Sequence, residues 1–185
     1  MSAINLLLDP QPIPRMVSVG QTFDRPVLED VGCELRARMQ ARNVHHFIHK
    51  GMSVAITVGS RGITQLPLVV KLVADAVKAA GGEPFIVPAM GSHGGATAEG
   101  QRSMLIGMGI TEEYTGAPIR ATMDTIVVGA SDNGLPVNVD RYAYEADGII
   151  VINRVKPHVA FRGPYESGLM KMITIGLGKQ SGADI

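Results

Sequence analysis

Two histidines stand where an imidazole could take part in chemistry. His93 lies inside the glycine-rich segment 91–95, where flanking glycines would let a ligand approach the backbone closely. His158 follows Lys156-Pro157, and the proline ring restricts the backbone beside it. Because an imidazole gains and loses a proton near neutral pH, both histidines are candidate acid/base groups. Each could instead be a loop histidine that points into water.

A lysine and an arginine are further candidates. Lys171 lies within the mostly apolar segment 168–175. Such a lysine can extend to water, or it can be desolvated, which favours a neutral amine that acts as a nucleophile or as a point of covalent attachment. Ser60-Arg61 follows the apolar segment 53–58, and an arginine there could bind a carboxylate through two hydrogen bonds or simply lie on the surface.

Basic side chains cluster in the stretch that contains His158. Arg154, Lys156, His158 and Arg162 form a local group of positive or protonatable side chains. Such a group suits an anionic ligand, a carboxylate or a phosphate, although it could also be a solvated loop. Glu166 follows closely and could orient a histidine or a lysine.

The elements that would position these residues alternate between strands and helices. Apolar β-branched segments predict strands and 3.6-residue periodicity predicts helices. Strands are predicted at 53–58, 84–89, 125–130 and 148–152, and helices at 26–43, 65–80 and 98–108. This order favours an α/β fold of Rossmann-like type, with a mostly parallel sheet flanked by helices. Because the carboxyl ends of parallel strands share one edge, we expect Ser60, His93 and the segment 156–158 to gather there.

Smaller features are predicted from local patterns. Met16 to Phe23 alternates loosely, as an edge strand would, and Leu135 to Val139 could form a hairpin with the strand 125–130. Thr64 is expected to cap the second helix and Thr97 the third.

Length and composition exclude several classes of protein. The 185 residues, 45% of them hydrophobic, suffice for one domain with a core. Lys+Arg and Asp+Glu both number 17, which gives no net basic charge for nucleic acid or a membrane surface. Cys33 is the only cysteine, so an internal disulfide is excluded and a cytoplasmic location is expected. The glycines at 176–182 do not match a dinucleotide-binding fingerprint.

Three motifs in order resemble the N-terminal domain of the nickel-dependent lactate racemase family, in a subgroup with a Gly-Ser-His-Gly-Gly motif. They are Gly59-Ser60-Arg61, Gly91-Ser92-His93, and Lys156-Pro157-His158 followed by Gly168-Leu169-Met170-Lys171. Each motif alone is weak, and the combination is specific. The family's fold has two α/β domains with the site between them. The resemblance therefore implies that residues 1–185 are the N-terminal domain and that the second domain lies beyond Ile185.

The resemblance also implies a cofactor and a role for each motif. The family's cofactor is a nickel pincer nucleotide (nickel pyridinium-3,5-bisthiocarboxylate mononucleotide) joined to a lysine, which corresponds to Lys171 here. His93 and His158 would be the acid/base pair, and Ser60 and Arg61 would contact the cofactor or the substrate. The family's nickel-binding histidine would fall beyond Ile185, so no metal ligand is expected within this stretch, and the stretch alone is expected to be inactive.

The implied function is racemisation or epimerisation of a 2-hydroxy acid by hydride transfer to the lysine-linked cofactor. Gly94-Gly95 stands where lactate racemases have Arg-Pro, and the loop between His158 and Lys171 is longer than theirs, which favours another 2-hydroxy acid, such as a sugar acid. Neither nucleic acid nor membrane is expected as a partner, and a homo-oligomer is left open. Two alternatives stand beside this function: a non-catalytic binding module for an anionic small molecule, and a metal hydrolase with His93 and His158 as ligands.

Overall fold

The computed structural model describes residues 15–24, 26–60, 62–158 and 162–185. Arg61, predicted to contact the cofactor or the substrate, lies outside the described residues, and its role stays a prediction.

Short strands and helices alternate along the described chain. The strands are β1 Ser53–Val58, β2 Glu83–Pro88, β3 Thr125–Ala130, β4 Pro136–Asp140 and β5 Gly148–Val151. The helices are α1 Val31–Ala41, α2 Leu66–Ala79, α3 Ala98–Gly107, α4 Glu112–Thr115, α5 Arg141–Tyr144, α6 Leu169–Lys171 and α7 Lys179–Ala183. Single 3₁₀ turns cover Val44–Phe47 and Gly94–Ala96, and a π-helical turn, Met172–Gly176, follows α6.

A three-stranded parallel sheet in the order β2-β1-β5 forms the centre of the domain. β1 pairs with β2 from Ser53 opposite Glu83 to Val58 opposite Pro88, and Thr57 lies opposite Val151 of β5. The β-branched side chains of β1 suit a strand that is covered on both faces. The predicted α/β fold with a mostly parallel sheet is confirmed.

Helices cover both faces of this sheet. On one face, Ile56 and Val58 of β1 pack into a core with Val70 and Val73 of α2 and Leu105 of α3. On the other face, side chains from the sheet, α5 and the segment around the π-helical turn form a second core: Ala55, Phe85, Val87, Ala143, Met172 and Leu177. The segment that carries Lys171 is therefore anchored to the sheet through buried apolar side chains.

The strands β3 and β4 form a separate antiparallel hairpin, which confirms the predicted pairing of these segments. Thr125 lies opposite Asp140, and Ala130 lies opposite Pro136. The turn between them contains Gly134 at a φ of +81°, a conformation that glycine adopts without strain.

Two predictions near the start of the chain are wrong. The segment 16–23 forms no strand, and Met16 and Val19 are largely exposed, because none of the described strands pairs with it to complete a ladder. The first helix begins at Val31 rather than at residue 26, since Asp30 caps it by accepting a hydrogen bond of 2.8 Å from the Cys33 amide.

The two predicted threonine caps have different outcomes. Thr97 caps α3, and its hydroxyl accepts from the Gly100 amide at 3.0 Å. Thr64 does not cap α2, because the chain enters that helix through Gln65 in a left-handed conformation, with φ of 55° and no side-chain cap. Among the described residues, no helix has the length and apolar character needed to cross a bilayer.

Candidate functional site

An open cleft of about 450 Å³ lies where the parallel strands β1, β2 and β5 end. Small-molecule sites in proteins span roughly 300–1,000 Å³. Ser60, His93, Lys156, His158 and Lys171 all line this cleft. The predicted gathering of the strand-end loops at one edge is therefore confirmed, and Lys171 joins them from α6.

Ser60 and His93 form a direct contact across the first two loops. The Ser60 hydroxyl lies 2.7 Å from Nδ1 of His93, a normal hydrogen-bond distance. Ser60 follows β1 and His93 follows β2, and these strands are adjacent and parallel, which brings their carboxyl ends together. The contact at Nδ1 orients the exposed ring and leaves Nε2 available for proton exchange with a ligand.

His158 and Lys171 form the second contact of the cleft. The Lys171 amine lies 3.3 Å from Nε2 of His158. An ammonium group can only donate, so a hydrogen bond from a charged Lys171 requires Nε2 to accept. Of the two environments that the sequence allowed for Lys171, the structure has the solvent-exposed one.

Glu166 holds the backbone of the loop that carries His158. Its carboxylate accepts from the His158 amide at 3.0 Å and from the Gly163 amide at 3.1 Å. Arg162 lies 3.7 Å from the same carboxylate, and the Glu166 side chain is only 15% exposed. The predicted orienting role of Glu166 thus takes a specific form, since these contacts reach the backbone of His158.

Basic groups make one wall of the cleft suitable for an anion. Arg154 and Lys156 line the cleft and are exposed, and Arg154 donates to the Gly62 carbonyl at 3.1 Å. With Lys171, these side chains provide the cationic character that a carboxylate requires.

The His93 loop, residues 91–93, packs directly on the π-helical turn. The Gly91 amide donates to the Gly176 carbonyl at 3.1 Å. A Cβ at position 176 would lie 2.8 Å from the Ala89 carbonyl oxygen, and one at 91 would lie 3.2 Å from Ile175. Only glycine permits this approach of the two backbones, which fixes His93 relative to the segment that carries Lys171.

The model of the lactate racemase N-terminal domain matches residues 16–182. The chain belongs to the lactate racemase N-terminal domain family. This family is associated with a nickel cofactor. A comparison with curated proteins found no match to the chain.

In this family member, the sequence-based predictions missed the polar residues buried beneath the cleft. Lys179, Asp140 and Gln101 are all 0% exposed. Lys179 and Lys171 both lie in one glycine-rich apolar segment, so the sequence alone does not show which lysine faces solvent. A polar residue that interrupts an apolar run was the only available signal, and it occurs at both positions.

Burial shifts the pKa values of Lys179 and Asp140 in opposite directions. Burial lowers the pKa of the Lys179 amine, and the nearby Asp140 carboxylate partly offsets that effect. Burial raises the pKa of Asp140, and the Lys179 charge partly offsets it. The two charges compensate each other in an interior that favours neither alone.

Proposed function

We propose that the protein racemises or epimerises a 2-hydroxy acid, with His93 and His158 as the acid/base pair and Lys171 as the attachment point of a nickel pincer nucleotide. The observation that carries this proposal is the convergence of two histidines and two solvent-accessible lysines, one of them Lys171, in a single cleft of a lactate racemase family chain. A small-molecule acid is the proposed partner.

The side chains of the cleft suit a metal ion that is already coordinated by an organic cofactor. Among the residues that the structure describes, no group of three or more His, Cys, Asp or Glu side chains is placed to hold a metal ion. The cleft offers two imidazoles and the amines of Lys156 and Lys171 instead. An exposed amine beside an open volume suits covalent attachment of a cofactor, and a bare metal ion would need further ligands.

The chemistry of a 2-hydroxy acid determines which proton the histidines would transfer. The α-hydrogen is too weakly acidic for a neutral imidazole, with its ordinary pKa of about 6.5, to remove as a proton. When bound, the nickel pincer nucleotide supplies the hydride acceptor that no side chain can supply. The histidines then need only take the hydroxyl proton and return it, which is a normal task for imidazole.

Two histidines serve this reaction better than one. A base on each side of the bound acid can accept the hydroxyl proton of either enantiomer. His93 is oriented by Ser60, and His158 is held through its backbone by Glu166. The substrate carboxylate would be bound by Arg154 and Lys156, and we retain Arg61 as a further proposed contact with cofactor or substrate.

Intact-mass spectrometry tests the attachment, on protein produced together with the cofactor-making enzymes. We expect wild type to carry the added mass of the cofactor and Lys171→Arg to lose it. Lys156→Arg changes another lysine of the same cleft, and we expect it to keep the mass. Racemase activity from a protein with unmodified Lys171 would refute the covalent part of the proposal.

A chiral assay against a panel of 2-hydroxy acids tests the activity itself. In cofactor-loaded protein that includes the second domain implied by the family resemblance, we expect conversion between isomers of at least one acid. We expect His93→Ala and His158→Ala each to lower kcat by about 10²–10⁴-fold. The proposal is refuted if both variants turn over as wild type does.

A non-catalytic binding module is the second candidate, and the exposed basic groups Arg154 and Lys156 in the cleft favour it. It predicts that both histidine variants keep the affinity for an anionic ligand and that no isomer conversion occurs. Equilibrium binding of the same acids, measured beside the chiral assay, separates the two candidates.

A further inference from the structure

A buried polar cluster lies beneath the His93 loop, and the proposed chemistry does not use it. Lys179 and Asp140 form an ion pair with 3.0 Å between Nζ and Oδ2, and both side chains are 0% exposed. Lys179 follows the π-helical turn, while Asp140 ends β4 and accepts from the Ala143 amide at 3.0 Å. The cluster therefore joins the segment that carries Lys171 to the hairpin.

Gln101 connects this ion pair to the His93 loop. The Lys179 amine donates to Oε1 of Gln101 at 3.0 Å. The Gln101 amide nitrogen then donates to the carbonyl of Gly91 at 2.8 Å and to that of His93 at 3.2 Å. The Lys179 amine also donates to the carbonyl of Pro88, the last residue of β2.

The chemistry of these groups fixes their orientation. An ammonium group has only donors, so the Gln101 amide must turn its oxygen towards Lys179. Its NH₂ group must then face the carbonyls of Gly91 and His93. Lys179 and the two carbonyls thus require the same orientation of the amide, and Lys179 contacts the His93 loop only through Gln101.

A gain in stability does not by itself explain the buried cluster, because burying it has a high cost in free energy. A buried ion pair is often no more stabilising than apolar residues of similar size, because both charges lose their hydration. Lys179 also has a φ of +57°, which is unfavourable for a residue with a side chain. The buried ion pair and the unfavourable φ of Lys179 both occur where the His93 loop packs against the segment that carries Lys171.

We propose that Lys179 is a positioning residue: acting through Gln101, it sets the place of the His93 loop in the cleft. Its effect on rate rests on the proposed function, whereas its effect on the loop does not. Asp140 neutralises the charge that this arrangement buries.

A paired substitution tests the proposal without leaving a charge buried alone. Asp140→Asn with Lys179→Met removes both charges, and the asparagine oxygen can still accept from the Ala143 amide. We expect a folded protein by circular dichroism. The amide signals of residues 91–93 and the ring ¹⁵N signals of His93 should shift, and the His93 amide should exchange its hydrogen about tenfold faster.

Val77→Ala is the matched control for a general loss of packing. Val77 is 0% exposed and packs with Ile48 and Val54, in a cluster separate from Lys179 and Gln101. We expect this variant to be less stable while the loop signals stay at their wild-type positions. Wild-type loop signals and exchange rates in the paired variant would overturn the proposal.

A double-mutant cycle tests whether the effect passes through Gln101. Gln101→Leu alone should speed exchange of the His93 amide, and adding it to the paired variant should give little further increase. Additive effects on the logarithm of the exchange rate would show that Lys179 does not act through Gln101.

In the cofactor-loaded enzyme, we expect the paired variant to lower kcat about tenfold and to change KM less than about twofold, because the loop positions a reacting group. An unchanged kcat in that enzyme would overturn the positioning role. Loop signals that shift in the paired variant, together with a cofactor-loaded two-domain enzyme that converts no 2-hydroxy acid, would support the effect on the loop and refute the proposed function.

Discussion

The amine of Lys171 lies 3.3 Å from Nε2 of His158, so the proposed attachment point and one proposed acid/base group are direct neighbours. While the amine donates to Nε2, that nitrogen is engaged and cannot accept a proton from substrate. Covalent attachment would give the amine another partner, and Nε2 would then be able to face the substrate. If Lys171 is the attachment point, as proposed, the contact would link loading of the cofactor to the state of His158.

Lys171→Met should change the ring ¹⁵N spectrum of His158 even without cofactor. The substitution removes the amine and keeps a side chain of similar length, so Nε2 loses the hydrogen bond that it accepts. Two-dimensional ¹⁵N correlation spectra of histidine-labelled protein measure this directly. Lys156→Met is the control, and we expect a smaller shift because the described contact with Nε2 comes from Lys171. An unchanged His158 signal in Lys171→Met would contradict the contact.

Ser60→Ala should lower kcat about fivefold, which corresponds to the loss of about 1 kcal/mol from one hydrogen bond. The reason is that Nδ1 of His93 loses the hydroxyl that lies 2.7 Å away. Ser60→Thr keeps a hydroxyl and should retain most of the activity. Ser92→Ala, an exposed serine next to His93, should act as wild type. Equal kcat values for Ser60→Ala and Ser92→Ala would show that the contact does not orient the ring.

Gly176→Ala should lower the free energy of unfolding by about 1–3 kcal/mol, the usual effect of overpacking a tight site. The added Cβ would lie 2.8 Å from the Ala89 carbonyl oxygen, and 3.0 Å from the Met172 sulfur. Gly107→Ala is the control, since a Cβ at that helical position meets nothing within 4 Å. We expect it to be neutral or stabilising by about 0.5–1 kcal/mol. Urea unfolding of both variants measures the difference, and equal effects would contradict the close approach.

The positions of the strands and of the loops that follow them could be predicted from the sequence because they depend on local patterns that persist in the fold. The β-branched run of β1 and the strand-end position of His93 place Ser60, His93 and His158 at one edge. The environments of the two lysines could not be predicted in this way. Lys171 and Lys179 have similar neighbours along the chain, and only the packing of the segment 172–177 on the sheet leaves one exposed and the other buried.

Thr57→Val should raise the free energy of unfolding by about 1 kcal/mol. Thr57 is 0% exposed, and its hydroxyl has no hydrogen-bond partner among the described residues, so removing it relieves a desolvated polar group. Thr115→Val is the matched control, because that buried hydroxyl donates to the Thr111 carbonyl at 2.8 Å. We expect it to destabilise the fold. Thermal and urea unfolding measure both, and a loss of stability in Thr57→Val would contradict the prediction.

Glu112 should contribute stability that disappears in acid. Hydrogen bonds from Arg102 and then from the Ile119 amide lower the pKa of its carboxyl group, and burial opposes them only partly. A carboxyl group whose pKa is lower in the folded state stabilises the fold above its unfolded pKa, about 4.3, and loses that contribution as the pH falls through the folded value. The Arg102–Glu112 contact is 2.8 Å long and partly exposed, so we expect about 0.5 kcal/mol.

Glu112→Gln should therefore be less stable than wild type near neutral pH, and the difference should shrink as the pH is lowered below about 4. The glutamine cannot ionise, so it keeps no pH-dependent contribution at this position. Glu113→Gln changes an exposed carboxylate of the same helix, α4, and serves as the control. Urea unfolding at several pH values between about 3 and 7 measures the difference. A gap between Glu112→Gln and wild type that stays constant across this range would show that Glu112 stabilises the fold by its shape and not by its charge.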